Sequence, residues 1–192
     1  MSELDKGLVT GLSSADDGAR AIAATEIYRT GRARADKAVH EWWQNIEFAG
    51  LCGEKPAVIV GLAVRPDTFA KIREANDWPR LAEVPAEQDA SEFELSFPGD
   101  VHLDVLTPRD PGGDGAISKF LKKQGEAIQQ VEIRCGNVAR ATEILREAFG
   151  VGAVYPETRP GADGTRVNFF LIPASDGTKL LIELFESAAP HS

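Results

Sequence analysis

Ala57-Val58-Ile59-Val60-Gly61-Leu62-Ala63-Val64, closed by Pro66-Asp67, and Ile128-Gln129-Gln130-Val131-Glu132-Ile133-Arg134-Cys135, closed by Asn137, decide how this chain is read. Each is a β-rich run that ends on a helix-start signal. After the first, the spacing predicts a helix carrying Phe69, Ile72 and Ala75 that stops at Trp78-Pro79. Extended pieces follow at Leu81–Val84, Glu92–Phe97 and Val101–Leu106, with Pro98-Gly99-Asp100 as the turn before the last. After the second run, Asn137 caps a helix bearing Ala141, Ile144, Leu145 and Phe149, and Gly150 ends it. Strands are then expected at Val154–Glu157, Arg166–Ile172 and Lys179–Phe185, with turns at Gly161–Gly164 and Ser175–Gly177. Strand, helix, strand, strand, strand occurs twice, which is the mark of an internal duplication.

Working outward, residues 57–108 and 128–187 form two βαβββ modules, joined by a linker over 109–127 with a short helix at Ile117–Leu121. Residues 1–56 form a helical extension. Within it Ser14 caps a first helix carrying Ile22, Ile27 and Tyr28. Gly31 interrupts, and a second helix runs from Ala33 to Phe48 with Val39, Trp42, Trp43 and Ile46 clustered. The class is α+β: two tandem modules curling into a cup-shaped mixed sheet.

Composition bounds the function. Hydrophobic residues are 43% and charged residues 27% of 192, enough for a real core, and the net charge of −9 argues against nucleic acid or an anionic membrane as partner. The acidic start Met1-Ser2-Glu3-Leu4-Asp5 carries no secretory signal, and the longest apolar stretch, Ala57 to Val64, is too short to span a bilayer, so a cytoplasmic protein is expected. The only cysteines, Cys52 and Cys135, lie far apart in sequence and in no paired motif. Both read as reduced thiols, with Cys135 buried and inert.

Strand alternation separates two faces. Val131, Ile133 and Cys135 form the apolar set of their strand, so Gln130, Glu132 and Arg134 point the other way. On the closing strands His102 and Asp104 oppose Val101, Leu103 and Val105, while Glu183 opposes Ile182 and Leu184. A joint cup would therefore be lined by His102, Asp104, Gln130, Glu132, Arg134 and Glu183. The same alternation would also serve the wet face of an open sheet. Duplication favours the cup, because a polar concavity between paired modules is a usual ligand site. His40-Glu41-Trp42-Trp43-Gln44 starts like a helical zinc-protease motif but has Gln44 where the second histidine belongs, and reads as structural. Trp42, Trp43 and Phe48 offer apolar anchors for a homodimer.

The run Ile117 to Val131, together with Pro160-Gly161-Ala162-Asp163-Gly164-Thr165-Arg166-Val167 and Leu181-Ile182-Glu183-Leu184, resembles methylmalonyl-CoA epimerases of the vicinal oxygen chelate superfamily. The likeness is good over 100–187, weaker over 57–99 and absent over 1–56. It implies a divalent metal held at four positions, which fall here on Ile59, Asp104, Gln130 and Glu183. Both positions expected to be histidine are replaced, since Ile59 cannot ligate and Gln129-Gln130 stands where paired histidines belong. Two chemistries remain open. A weak divalent site could use His102, Asp104, Gln130 and Glu183. Alternatively no cofactor is needed, and Asp104, Glu183 and Glu132 act as acid and base, with His102, Gln130, Arg134 and Arg166 binding substrate. The expected function is an epimerase-, isomerase- or lyase-like enzyme on a carbonyl-containing small molecule, with an acyl-CoA among the candidates, working through an enolate. The alternative is a small-molecule-binding protein of the same fold, like the drug-resistance members.

Overall fold

The computed structural model of the chain describes residues 3–187, so Met1 and Ser2 of the acidic start lie outside the described residues. Three helices come first: α1 (Glu3–Gly11), α2 (Asp17–Trp42) and α3 (Ile46–Cys52). The first module follows as β1 (Val58–Ala63), α4 (Pro66–Ala75), β2 (Ala90–Phe97) and β3 (Val101–Pro108). After α5 (Ala116–Gln124) come β4 (Ala127–Arg134), α6 (Val138–Phe149), β5 (Arg159–Pro160), β6 (Arg166–Pro173) and β7 (Lys179–Glu186). None of the described helices is long and apolar enough to cross a membrane.

The chain divides into two compact units. Met1–Gly31 with Ile59–Gln129 make the first, and Arg32–Val58 with Gln130–Ser192 make the second. The helical extension is thus no unit of its own, because its two parts pack with different modules.

In the first unit β1 runs parallel to β3, and β3 antiparallel to β2. In the second, β4 runs parallel to β7, which is antiparallel to β6, and β6 pairs antiparallel with the short β5. The core topology β1-α4-β2-β3 therefore recurs as β4-α6-β6-β7, and the fold is α+β with the duplication read from the sequence. The remaining strand of each module is reduced. Leu81–Val84 is no strand, holding on by Ala82 N to Glu92 O at 2.9 Å, and Val154–Glu157 is no strand either, joined to β6 by Val154 N to Phe169 O at 2.7 Å beside the bridge of Ala153 with Phe170. Prolines explain this: Pro79 and Pro85 flank one segment and Pro156 sits inside the other, each removing a ladder donor.

α6 forms as its signals dictate. The Asn137 side chain accepts from Arg140 N at 2.9 Å, Gly150 terminates at φ 66°, and Ala141, Ile144 and Leu145 are buried. The first helices depart from the expected pattern. α1 was not foreseen, Ser14 does not cap α2, and Asp16 does so by accepting from Ala19 N at 2.7 Å. α2 runs unbroken through Gly31, where a Cβ would stand 2.6 Å from Val60 Cγ1. Gly31 marks close helix-to-strand approach, not a break. Val60 is fully buried on a central position of β1 and has no long side chain to swing aside. Gly31→Ala should therefore destabilise by about 1–3 kcal/mol through overpacking, outweighing the ~1 kcal/mol of helix propensity gained. Urea denaturation of the variant checks the sign.

In the second unit the turn between β6 and β7 is tied to α2. Ser175 Oγ donates to Ala33 O at 2.6 Å, and Arg34 Nε lies 3.1 Å from Asp176 Oδ2. Asp176 also accepts from the Thr178 hydroxyl and backbone N–H. The Thr178 hydrogen bonds, and then Arg34, hold the Asp176 carboxyl below the usual carboxylate range. A depressed folded-state pKa stabilises above the unfolded value, about 4, and that stability is lost as pH falls through the lower folded value. Asp176→Asn should thus cost stability at neutral pH, with the difference from the parent shrinking toward about pH 3. Urea midpoints measured across that range give the result.

Trp42 and Phe48, expected to face a partner, are fully buried within the second unit. Trp42 meets Phe48 edge-on at 5.8 Å and Phe170 of β6 at 6.3 Å. Trp43 is half-buried and donates Nε1–H to Gly53 O at 3.0 Å.

Candidate active site

Parallel pairing of β4 with β7 sets Glu132 directly opposite Glu183 and Gln130 opposite Leu181. Residues two apart on a strand share a face, so Gln130, Glu132 and Glu183 converge. Gln130 Nε2 donates to Glu132 Oε1 at 3.0 Å and to Glu183 Oε2 at 2.8 Å. This amide orientation alone makes both contacts donor to acceptor. Gln130 is 5% exposed and Glu132 8%, a depth at which carboxylates are found only with partners. Glu183 is half-buried. Two glutamates in register on one face repel, and the amide between them offsets that repulsion.

Around this trio the same face turns apolar. Phe169 of β6 stands opposite Glu183, and Leu171 opposite Leu181. Leu171 is 52% exposed, an unusual position for a leucine within a sheet. Phe169 meets Tyr155 edge-on at 6.0 Å, and the Arg159 guanidinium lies 4.4 Å over the Tyr155 ring. Phe169, Leu171, Tyr155 and Arg159 were missed in the sequence. Only Phe169 and Leu171 carried a signal, as the alternates of Phe170 and Ile172 on β6.

The first unit carries the other predicted residues. On β3, Asp104 stands opposite Gly61 of β1 and Glu94 of β2, while His102 stands opposite Ser96. His102 Nδ1 lies 3.0 Å from Glu94 Oε1 and 3.1 Å from Ser96 Oγ. Contact with a carboxylate requires that nitrogen to carry the proton. Glu94, unmarked in the sequence, is thus the partner of His102.

Arg134 is exposed at the end of β4, on the Gln130 and Glu132 face by alternation. Arg166, expected to bind substrate, lies elsewhere. It pairs in register with Glu186, three residues from Glu183 and so on the opposite face, with Arg166 Nε 3.9 Å from Glu186 Oε1 and Nη2 donating to Thr158 Oγ1 at 2.5 Å. Glu186 in turn accepts from Val138 N at the start of α6.

The registers align the modules residue by residue. Matching Asp104 with Glu183 matches Gly61 with Glu132, Ile59 with Gln130 and Glu94 with Phe169. The polar trio of the second module has Ile, Gly and Asp at its counterparts in the first.

No protein-family model matches the sequence, and no curated protein matches it. Solved structures do. A methylmalonyl-CoA epimerase from Mycobacterium tuberculosis is 32% identical with a TM-score of 0.55, over 68% of this chain and 87% of its own. A methylmalonyl-CoA epimerase in complex with methylmalonyl-CoA and NH4+ is 28% identical with a TM-score of 0.55, over 70% and 95%. A Streptomyces coelicolor methylmalonyl-CoA epimerase variant bound to 2-nitronate-propionyl-CoA is 27% identical with a TM-score of 0.54, over 68% and 96%. With the duplicated module, its strand registers and these relatives together, the chain belongs to the vicinal oxygen chelate superfamily, alongside the methylmalonyl-CoA epimerases.

Proposed function

We propose that the chain is an epimerase-like enzyme acting on a carbonyl-containing small molecule, with an acyl thioester of coenzyme A as the favoured class, through an enolate-type intermediate. The observation that carries this reading is the pair Glu132 and Glu183, in register and bridged by Gln130. Repulsion between neighbouring carboxylates is relieved when one holds a proton. A pair sharing one proton contains a base to take hydrogen from the carbon beside a carbonyl and an acid to return one. In the second unit Gln130 and Arg134 are the polar substrate contacts; in the first unit Asp104, the topological counterpart of Glu183, is a further candidate proton carrier and His102 a further candidate polar contact. Leu171 and Leu181 offer apolar surface for the acyl carbons.

A divalent metal is implied by the superfamily, and the residues do not fit one. Ile59 has no lone pair, and Gln130 offers an amide where the stronger imidazole ligand belongs. Among the described residues no three His, Cys, Asp or Glu side chains converge as a ligand set. The proposal therefore routes no step through a metal.

The same substitutions favour the second reading, a binding protein without turnover. The two separate in one experiment with an enantiopure α-methyl-branched acyl-CoA, followed by circular dichroism and calorimetry. Decay of the α-centre's circular dichroism toward that of the epimer mixture, at a rate proportional to enzyme, supports the epimerase. Heat of binding with no change in optical activity supports the binding protein and ends the first reading.

A further inference from the structure

The chain leaving α3 runs beside the end of β4. Leu51 O accepts from Gly136 N at 2.7 Å, and Ala57 O accepts from Arg134 N at 3.1 Å. Cys52 and Cys135 each adjoin one end of the first of these bonds, so the backbone sets the two residues side by side. Both are free thiols and both are buried. The two thiols influence each other: the proton is favoured on Cys52 and disfavoured on Cys135. The backbone N–H of Asn137, the N-cap of α6, also favours charge on Cys135.

This pairing divides the roles. Charge on the Cys135 sulfur is favoured first by the Cys52 thiol and then by the Asn137 amide, against burial and the nearby Glu186. The Cys52 thiol is pushed up by its bond to Cys135 and by burial. The attacking form of a cysteine is its thiolate, so these directions make Cys135 the first sulfur to react, and Cys52 closes the bond once oxidation of Cys135 has removed that thiolate from beside it. Burial excludes bulky oxidants and leaves hydrogen peroxide, about the size of two waters, as the fitting one.

We propose that Cys52 and Cys135 form a dithiol that hydrogen peroxide oxidises to an intramolecular disulfide. The Cys135 thiolate attacks one peroxide oxygen, the O–O bond breaks, and hydroxide leaves; sulfur is oxidised to sulfenic acid. The Cys52 sulfur then attacks that of Cys135, the S–O bond breaks, and the departing hydroxide with the Cys52 proton makes water. Two thiols and one peroxide yield one disulfide and two waters, counting the proton that Cys135 first gave up. The bond would tie the end of α3 to the junction of β4 and α6 and close a loop containing the whole first module, so the oxidised form should melt at a higher temperature. This inference stands apart from the proposed catalysis, since neither cysteine belongs to the Gln130, Glu132 and Glu183 cluster.

The test treats the full chain with hydrogen peroxide, then unfolds it in denaturant, alkylates the remaining thiols and maps peptides. The expected result is a Cys52–Cys135 cross-link, loss of both alkylatable thiols and recovery of both with dithiothreitol. In Cys52→Ala, Cys135 should accumulate as sulfenic acid trapped by dimedone. In Cys135→Ala, no intramolecular cross-link should form. Two free thiols after peroxide, or sulfinic acid at either position without a cross-link, would overturn the proposal. Should either alanine variant fail to fold, as judged by circular dichroism, the peptide map of the parent protein decides alone.

Discussion

Glu183→Gln is expected to slow exchange of the substrate α-proton by about 10²- to 10⁴-fold, the range for losing a positioned general acid or base. Gln130 Nε2 now donates to Glu183 Oε2 at 2.8 Å, and the amide oxygen of a glutamine at 183 can accept the same N–H. Packing and hydrogen bonding are thereby kept, and only the ability to carry a proton is lost. The melting temperature should accordingly stay close to that of the parent, which separates loss of chemistry from loss of fold. A variant that exchanges the proton at the parental rate would remove Glu183 from the mechanism. Glu132→Gln makes the companion measurement: if the two carboxylates act as one unit, the double variant should be little worse than the slower single one.

The largest effect on stability is expected from Trp42→Ala, at about 3–5 kcal/mol. Trp42 is 1% exposed and bridges two other buried rings, Phe48 of α3 and Phe170 of β6. Truncation removes both edge-to-face contacts and leaves a hole beside side chains anchored in different elements, which cannot all collapse into it. Trp42→Phe should recover part of the loss. Chemical denaturation followed by far-ultraviolet circular dichroism measures both. A cost below about 1 kcal/mol would place Trp42 at the surface, where the dimer expectation had it.

The sequence was most readable where several local signals agreed. Asn137, the apolar spacing of Ala141, Ile144 and Leu145, and Gly150 marked α6 independently of the rest of the fold, and the helix follows them. The duplicated order of strand and helix was legible for the same reason. Signals with two physical meanings misled. Gly31 serves equally to break a helix and to let one approach a strand, and only Val60 beneath it decides between these. Trp42 and Phe48 look alike whether they cover a partner or their own sheet.

The candidate site divides the same way. Alternation placed Gln130 and Glu132 on one face of β4, a local property of the strand. Their contact with Glu183 rests on the register of β4 against β7, which no local pattern sets. Register also removes Arg166 from the cluster, because three residues along β7 from Glu183 is a change of face. The adjacency of Cys52 and Cys135 was equally hidden, since a backbone hydrogen bond between Leu51 and Gly136 brings together segments separated by the entire first module.

Protein carboxylates, not a bound metal, are proposed to move the α-proton. This is tested most directly by exhaustive chelation of the purified protein, followed by incubation with an α-methyl-branched acyl-CoA in deuterium oxide and nuclear magnetic resonance of the α-position. Deuterium incorporation is expected at an undiminished rate in the stripped protein, falling by about 10²-fold or more in Glu183→Gln. Exchange that vanishes on chelation and returns with added divalent metal would contradict the proposal.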